Sequence, residues 1–291
     1  MNSTSYSVLD VIKKSADYLK KKEIENARLN AELLIGCALN LNRVQLYLNF
    51  ERIVKPAELD KLKALLIRRA SREPIQYLIG ETEFYSLKFK VNQSTLIPRP
   101  ETEILVEAAL KIGESKFAQK EKIDVLDIGT GSGNIAIALA INNPKIQVTA
   151  LDRELDALEI ARQNAENHGV AERITFWRKD VFEIFPDEFS QLDMIVSNPP
   201  YISKTEMEKL PQEIINFEPR VALAGGEDGL KFFYRISELI YLVKENGVVM
   251  VEIGATQAEQ VRDIFLQKKM FSRIQIFKDL NKLDRVIVAE C

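Results

Sequence analysis

Apolar and polar residues follow two different periods along this chain. In the first 80 residues the apolar positions recur every three or four residues, which is typical of amphipathic helices. Three such stretches are present: Val8, Leu9, Ile12, Ala16 and Leu19, then Ala27, Ala31, Leu34, Ala38 and Leu41, and finally Leu59, Leu62, Leu65 and Leu66. The pattern predicts a small helical bundle as a first domain, residues 1–80.

The period changes to two after this bundle. The apolar residues Tyr85, Leu87, Phe89 and Val91 alternate with the polar residues Ser86, Lys88 and Lys90. Such alternation predicts a strand with one buried face. We expect residues 81–97 to form a β-ribbon, within a linker of residues 81–100 that joins two domains.

From residue 101 to residue 291 the pattern predicts strands that alternate with helices. The strands are expected at Ile123–Ile128, Ile146–Leu151, Ile174–Trp177, Met194–Ser197, Val248–Ile253, Arg273–Phe277 and Val286–Glu290, and the helices at 101–112, 133–142, 154–167, 229–245 and 256–268. Repeated βα units imply an α/β domain with a mainly parallel, Rossmann-like sheet covered on both faces. The last two strands, joined by a short polar turn, must be antiparallel.

Composition excludes several classes of protein. The chain has 291 residues, 46% of them hydrophobic, and a net charge of −3, which excludes disorder as the main state. The longest apolar run, Ile135–Ile141, is too short for a membrane span of roughly 20 residues. Met1–Asp10 has no pattern of a signal peptide. Two cysteines cannot form a disulfide framework, so we expect a cytoplasmic protein. His168 is the single histidine, and no metal site is expected.

Charge is distributed unevenly between the two predicted domains. Residues 1–80 contain 14 Lys and Arg against 9 Asp and Glu, whereas the remaining 211 residues contain 26 against 34. The helical bundle therefore has a positive balance, and it carries no chemistry of its own. We expect it to dock a protein substrate; the alternative is that it only covers apolar surface of the second domain.

A glycine-rich turn follows the first strand of the second domain. It consists of Gly129, Thr130, Gly131, Ser132 and Gly133, and a predicted helix begins directly after it. Glycines allow positive φ and let a ligand approach the backbone. A nucleotide-like ligand binds at this edge of an α/β sheet, beside the helix N-terminus. The alternative is a tight βα turn with no ligand.

Two neighbouring positions narrow the class of ligand that could bind at this edge. Asp152 ends the next strand, where its carboxylate could hold both hydroxyls of a ribose. Asn134 stands where the dinucleotide fingerprint has its third glycine. Because adenosylmethionine has no pyrophosphate to seat at the helix N-terminus, this absence favours it over NAD.

The segment Asn198-Pro199-Pro200-Tyr201 follows the strand Met194–Ser197 and suggests a methyl-acceptor site. Two consecutive prolines make the loop stiff and remove two backbone donors. The side-chain oxygen of Asn198 and the carbonyl of Pro199 could accept both hydrogens of a planar NH₂ group, and Tyr201 could stack on the group that bears it. Holding both hydrogens would aim the nitrogen at a methyl donor and stabilise the positive charge that develops on it.

Taken together, Asp127-Ile-Gly-Thr-Gly-Ser-Gly133 and Asn198-Pro-Pro-Tyr201 resemble the class I adenosylmethionine-dependent methyltransferases that act on planar nitrogens. Further segments resemble the release-factor glutamine methyltransferase family, which methylates N5 of the glutamine in the Gly-Gly-Gln loop of peptide chain release factors. These segments are Leu96-Ile-Pro-Arg-Pro-Glu-Thr-Glu103, Phe217-Glu-Pro-Arg-Val-Ala-Leu-Ala-Gly-Gly-Glu-Asp-Gly-Leu230, Glu252-Ile-Gly254 and Ala27-Arg-Leu-Asn-Ala-Glu-Leu-Leu34. The chain departs from the family at Leu280-Asn-Lys-Leu-Asp284, where a Gly-Arg pair is usual.

The resemblance assigns further residues by position. It implies S-adenosyl-L-methionine as the cofactor, with the glycine loop on its methionine side, Asp152 on the ribose, and Asp180 and Val181 beside the adenine. It implies that Asn198 to Tyr201 hold the substrate glutamine, and that Arg99 and Glu101–Glu103 belong to a segment that covers the active site. Thr102 or Glu101 could equally cap the helix that starts there.

Two other functions are compatible with the motifs. A nucleic-acid amino-methyltransferase also uses Asn-Pro-Pro-Tyr, but it should have a basic footprint, whereas this chain has a pI near 5.6. A non-catalytic adenosylmethionine-fold module would not need an intact Asn198 and glycine loop. The favoured function is release-factor methylation by a monomer that binds neither nucleic acid directly nor a membrane, with a release factor as its protein partner.

Overall fold

The structure is a computed structural model that describes residues 5–185, 189 and 191–291. The chain divides into two compact units: one contains the residues up to Glu81 together with Pro211–Phe217, and the other contains Thr82–Leu210 and Glu218–Cys291. Within the described residues, no helix is long and apolar enough to span a membrane.

The helices are α1 Val8–Lys21, α2 Ala27–Leu39, α3 Arg43–Leu48, α4 Pro56–Ala70, α5 Ile75–Ile79, α6 Glu103–Lys116, α7 Asn134–Asn142, α8 Leu155–Asn167, α9 Lys204–Met207, α10 Gln212–Phe217, α11 Lys231–Glu238 and α12 Ala258–Leu266. The strands are β1 Glu81–Phe84, β2 Leu87–Lys90, β3 Ile123–Ile128, β4 Ile146–Asp152, β5 Ile174–Arg178, β6 Leu192–Ser197, β7 Val243–Glu252, β8 Arg273–Lys278 and β9 Asp284–Glu290.

The first unit is helical, as the apolar spacing predicts, and it includes one helix from far along the chain. Its core is formed by buried residues of α1, α2 and α4, among them Leu19 and Leu34. The later helix α10 also belongs to this unit. Arg69 of α4 contacts it, and this arginine is only 5% exposed. Arg69 donates to Asn30 Oδ1 over 2.7 Å and to Glu213 Oε1 over 3.0 Å. A buried guanidinium needs such partners, because an unpaired buried charge is strongly destabilising.

The predicted β-ribbon is shorter than the sequence suggests. It is the hairpin β1–β2 and ends at Lys90, whereas 81–97 was expected. Tyr85 and Ser86, expected inside one strand, form the turn, with φ of 50° and 59°. Two left-handed residues match the twist of a two-residue hairpin. The usual Asn-Gly sequence of such a turn is missing. The alternation of apolar and polar residues therefore predicts a continuous strand at this point.

The second unit contains a seven-stranded sheet in the order β5-β4-β3-β6-β7-β9-β8. Strands β3 to β7 are parallel to one another, and β9 pairs antiparallel with both β7 and β8. The prediction of a mainly parallel sheet with an antiparallel end is therefore confirmed. The chain order reverses direction between β3 and β6, and in open α/β sheets ligands bind beyond the carboxyl ends of the strands at this point.

One predicted helix is wrong in length. The helix expected at 229–245 ends at Glu238, a short 3₁₀ turn continues to Leu242, and β7 begins at Val243. Apolar residues such as Leu239 and Leu242 prolong the helical spacing, which explains the error. The start of β7 is irregular: Val243 pairs with Leu192 and Val248 pairs with Met194, so the residues between them bulge out.

Candidate active site

The register of three parallel strands gathers the predicted site residues at one edge of the sheet. Ile128, the last residue of β3, lies opposite Leu151 of β4 on one side and Ser197 of β6 on the other. The Ser197 hydroxyl also donates to the Ile128 carbonyl over 2.7 Å. Gly129 and Asn198, which follow β3 and β6, therefore emerge beside Asp152, the last residue of β4.

These loops border an open cleft with a cavity volume of about 110 Å³. Eight of the predicted site residues line it: Gly129, Gly131, Asp152, Asp180, Val181, Asn198, Pro199 and Pro200. The other five, Thr130, Ser132, Gly133, Tyr201 and Arg99, are not part of its lining. The structure thus brings together the glycine loop, the two acidic residues and the acceptor loop.

The glycine loop has the backbone that only glycine adopts easily. Gly129, Gly131 and Gly133 have φ of 74°, 55° and 81°. Gly133 also lies so close to α8 that a Cβ there would stand 3.1 Å from the Cβ of Ala161. At Gly129 and Gly131 a Cβ would meet nothing within 4 Å, so their dihedral angles alone call for glycine.

The two non-glycine residues of the loop are buried and face inward. The Thr130 hydroxyl donates to Asp127 Oδ2 over 2.7 Å, and Thr130 is 2% exposed. The Ser132 carbonyl accepts from Asn164 Nδ2 over 2.9 Å. The same Asn164 amide bonds both the N–H and the carbonyl of Lys90, which connects the loop to β2. Thr130 and Ser132 therefore shape the loop from behind.

Asp152 organises the edge on which a ligand would lie. Its Oδ2 accepts from the Gly131 N–H over 2.9 Å, and its Oδ1 accepts from the Glu154 N–H over 3.0 Å. Burial raises the pKa of the Asp152 carboxyl, and the two backbone donors act in the opposite direction. The carboxylate predicted for the ribose thus also fixes the glycine loop.

Asp180 and Val181 line the cleft at the end of β5. Asp180 accepts from the Phe182 N–H over 3.1 Å and starts the short 3₁₀ turn Val181–Glu183. Its other carboxylate oxygen lies 3.4 Å from a guanidinium nitrogen of Arg153. Its backbone position is therefore fixed, and one edge of the carboxylate faces a cation.

The acceptor loop is held from two sides. Asn198 Nδ2 donates to the Thr102 hydroxyl oxygen over 3.0 Å. The Tyr201 hydroxyl donates to Glu252 Oε1 over 3.2 Å, and burial raises the pKa of this tyrosine above its ordinary value. The Thr102 hydroxyl makes no capping bond to α6. Of the roles considered for Thr102, the structure therefore excludes helix capping through its side chain.

Arg99 is engaged away from the cleft. Its guanidinium donates to Glu218 Oε1 over 2.5 Å, and Glu218 Oε2 accepts from the Ile97 N–H over 3.3 Å. The Glu218 side chain is 2% exposed. This pair connects the loop before α6 with the segment that carries Pro219, Val221 and Ala222 into the cleft. The structure therefore supports a structural role for Arg99.

Sequence reasoning missed two groups of residues. The first group belongs to the cleft wall and includes Ser94, Thr95, Leu96, Lys179, Pro219, Val221, Ala222 and Phe232. The second consists of the buried carboxylates of Asp127 and Glu252. Each has one oxygen, Asp127 Oδ1 and Glu252 Oε2, that is buried without a hydrogen-bond partner among the described residues, as is the hydroxyl of Ser132.

Both buried carboxylates titrate far above their ordinary range. Burial raises the pKa of Asp127 to about 7, and the charge of Asp152 adds to this, while Thr130 and the Ala136 N–H lower it. Burial also raises the pKa of Glu252 to about 7, although the nearby Thr102 and Tyr201 hydroxyls act to lower it. Perturbed carboxylates of this kind cluster at functional sites. The sequence does not show these raised pKa values, because they depend on burial in the folded protein.

The divergent loop at Leu280–Asp284 keeps a tight turn without the usual glycine. Lys282 adopts φ of 64°. The Asp279 carboxylate accepts from the N–H groups of Asn281 and Leu283, both over 2.9 Å, and from Arg285 over 2.9 Å. These bonds hold the turn, with Lys282 in a conformation that costs roughly 1–2 kcal/mol for a residue other than glycine.

The sheet order and the loops at its edge define the class I methyltransferase fold. The methyltransferase small domain family matches residues 106–227, and the PrmC N-terminal domain family matches residues 10–80. Among solved structures, the catalytic domain of hMettl16 in complex with MAT2A 3′UTR hairpin 6 covers 82% of this chain and 84% of its own, with a TM-score of 0.55 and 14% identity. At that identity the likeness concerns the fold alone.

Curated relatives match nearly the whole chain. The release factor glutamine methyltransferase of Geobacter sulfurreducens is 42% identical over 284 residues, which are 97% of this chain and 96% of that protein. The enzyme of the same name from Bacillus subtilis is 39% identical over 286 residues, 97% of each chain. The chain belongs to the release factor glutamine methyltransferase family.

Proposed function

We propose that this protein transfers a methyl group from S-adenosyl-L-methionine to the side-chain amide nitrogen, N5, of the glutamine in the Gly-Gly-Gln loop of peptide chain release factors. S-adenosyl-L-homocysteine is the second product, and one hydrogen of the amide nitrogen is released as a proton. The observation that carries this proposal is the pairing of Ile128 with Ser197, from which the glycine loop and Asn198 start on adjacent strands. A methyl donor on one loop and an acceptor amide on the other would then meet at the cleft.

The residues at the glycine loop fit this cofactor. Gly129 and Gly131 line the cleft without a side chain, so a ligand can approach their backbone closely. Asp152 lines the same cleft with its carboxylate, in a position suited to ribose hydroxyls. Asp180 and Val181 line it at the next strand end, where the adenine is proposed to bind. The cofactor supplies a methyl group on a positively charged sulfur.

The chain's own residues would orient the acceptor. Asn198 Oδ1 and the Pro199 carbonyl accept the two N–H hydrogens of the glutamine amide, which turns the nitrogen towards the methyl donor. As positive charge grows on that nitrogen, both contacts become stronger, so they favour the transition state over the ground state. The rigid Pro199-Pro200 pair keeps the two acceptors in place.

Tyr201 is assigned to holding the loop. Its hydroxyl binds Glu252, and its ring packs with the buried apolar residues of the second unit. Stacking of Tyr201 on the substrate stays a prediction, because this residue does not line the cleft. Arg99, which pairs with Glu218, is proposed to support the loop that carries the cleft wall and to reach the substrate only through it.

The helical unit is proposed to dock the release factor. Its 14 basic residues against 9 acidic ones up to residue 80 would attract an acidic partner and speed the encounter. Docking a whole protein also lowers the entropic cost of presenting a flexible loop to Asn198. We propose that the enzyme works as a monomer, in the cytoplasm where its partner is synthesised, without direct contact to nucleic acid or membrane.

The test is product mapping. Purified protein is incubated with S-adenosylmethionine labelled in its methyl group and with a purified release factor, and the label is located by peptide mass spectrometry. We expect one label on the glutamine of the Gly-Gly-Gln loop, and none on a release factor whose glutamine is replaced by alanine. Ribosomal RNA and tRNA are supplied in parallel. Label in either RNA, with none in the release factor, would overturn the proposal.

A further inference from the structure

Four polar side chains, Asn198, Thr102, Glu252 and Tyr201, hold the acceptor loop, and hydrogen bonds join them as two pairs. Asn198 Nδ2 donates to Thr102 Oγ1 over 3.0 Å at one end, and the Tyr201 hydroxyl donates to Glu252 Oε1 over 3.2 Å at the other. Thr102 and Glu252 are each 1% exposed. The two ends of the Asn-Pro-Pro-Tyr segment are thus anchored on buried groups from elsewhere in the sequence.

The hydrogen bond to Thr102 decides how the Asn198 amide is turned. Its N–H₂ end is bound to Thr102, so the oxygen is the end left for the cleft that Asn198 lines. A hydroxyl has one hydrogen to donate, and an ionised carboxylate can only accept. A charged Glu252 attracts the hydrogen of a nearby hydroxyl, and Thr102 lowers the pKa of this carboxyl. The Thr102 oxygen then offers its lone pairs to Asn198, which is bound through Nδ2.

We propose that Thr102 is a positioning residue that holds the Asn198 amide with its oxygen towards the substrate nitrogen. The proposal rests on the proposed function, in which Asn198 Oδ1 accepts a hydrogen of the glutamine amide. An Asn198 amide turned by 180° would present N–H₂ to the N–H₂ of the substrate, and two donors cannot bond. Thr102 thus selects the productive orientation without touching the substrate.

A matched pair of variants separates the hydroxyl from the shape of the side chain. Thr102→Val replaces the hydroxyl by a methyl group at nearly constant volume, and Thr102→Ser keeps it. At pH 8, where Glu252 is charged, we expect Thr102→Val to lower kcat on a release factor about tenfold, in line with the loss of a buried hydrogen bond. Thr102→Ser should stay within about threefold of the parent. The Kd for S-adenosylhomocysteine should change less than twofold in both.

A double variant tests whether Thr102 acts through Asn198. When Asn198→Ala is already present, adding Thr102→Val should lower kcat by less than twofold, because no amide is left to orient. A full additional tenfold loss would show that Thr102 acts by another route and would overturn the inference. If Thr102→Val and Thr102→Ser have equal kcat while Asn198→Ala is inactive, the inference fails and the proposed function stands. If Asn198→Ala keeps full turnover, the proposed function itself fails.

Glu252→Gln is the variant to use if Thr102→Val does not fold. A neutral glutamine no longer attracts the Thr102 hydrogen as a carboxylate does, so this hydroxyl is able to donate to Asn198 Oδ1 and to turn the Asn198 amide. We expect a lower kcat together with an intact fold and intact binding of S-adenosylhomocysteine. A purely structural role of these four side chains predicts that activity and thermal stability fall together. An unchanged kcat would contradict a role of the Glu252 charge in orienting the Asn198 amide.

Discussion

Replacement of Glu252 by glutamine should make the protein more stable, by an amount that depends on pH. In the folded protein this carboxyl is 1% exposed, and its Oε2 has no hydrogen-bond partner among the described residues. Burial raises its pKa from 4.5 to about 7. A charge at this position is therefore costly. Glutamine keeps the size of the side chain and an oxygen that can accept from Tyr201, but it is never charged.

The magnitude follows from the two pKa values. Below pH 4.5 the carboxyl is protonated in both the folded and the unfolded chain, and the exchange to glutamine changes little. Between pH 4.5 and pH 7 the folded protein binds a proton that the unfolded chain has released, so the parent loses stability as pH rises. A shift of this size corresponds to about 3 kcal/mol above pH 7, at 1.36 kcal/mol for each pKa unit. The expected gain in Tm is roughly 6–12 °C.

The assay is thermal unfolding followed by circular dichroism, for the parent and the variant at pH 4.5, 6, 7 and 8. The difference in Tm between them should be near zero at the lowest pH and should reach its full value at pH 8. Other ionisable groups are common to both proteins and cancel in this difference. A difference that does not vary with pH, or a variant that is less stable at pH 8, would refute the argument from burial.

Four further variants test other parts of the structure. Asp152→Ala should weaken S-adenosylhomocysteine binding by about 1.5–3 kcal/mol in a calorimetric titration, and an unchanged Kd would remove Asp152 from the site. Asn198→Ala should lower turnover about 10²-fold and leave that Kd within a few-fold, and near-normal turnover would exclude the acceptor geometry. Lys282→Gly should raise the free energy of unfolding in urea by about 1 kcal/mol, since it relieves a left-handed residue, and a destabilised variant would contradict this. Replacing Lys20, Lys21 and Lys22 by glutamine should raise the KM for a whole release factor at low salt but not for a short Gly-Gly-Gln peptide, and equal effects on both substrates would argue against docking.

Strand ends were the most predictable part of the site. The glycine loop and the Asn198-Pro199 segment each follow a run of apolar residues, and parallel strands bring their carboxyl ends to the same edge of a sheet. The observed pairing of Ile128 with Ser197 agrees with this expectation. The chemistry of these loops depends on residue types that the sequence displays directly, which is why eight predicted residues line the cleft.

The supporting residues were beyond the reach of sequence patterns. Thr102 lies 96 positions before Asn198, and Glu252 lies 51 positions after Tyr201, so no local spacing relates them. The pKa of a carboxyl also depends on burial, which only the folded structure determines. In the hairpin, Tyr85 and Ser86 adopt a left-handed turn without glycine, and local propensity gives no sign of it.

The membership of Pro211–Phe217 in the helical unit has a consequence for synthesis on the ribosome. The chain leaves this unit after Glu81 and contributes to it again only about 130 residues later. At 5–20 residues per second, roughly 6–26 s pass before that helix is made. During this time Arg69 lacks the carboxylate of Glu213, its partner in the finished protein.

Closing so long a loop costs about 4 kcal/mol of chain entropy if the intervening residues are still unfolded. That cost becomes smaller once the residues between Glu81 and Pro211 have folded, because they then form a compact connection rather than a flexible one. The helical unit is therefore the first part of the protein to leave the ribosome and among the last to be completed.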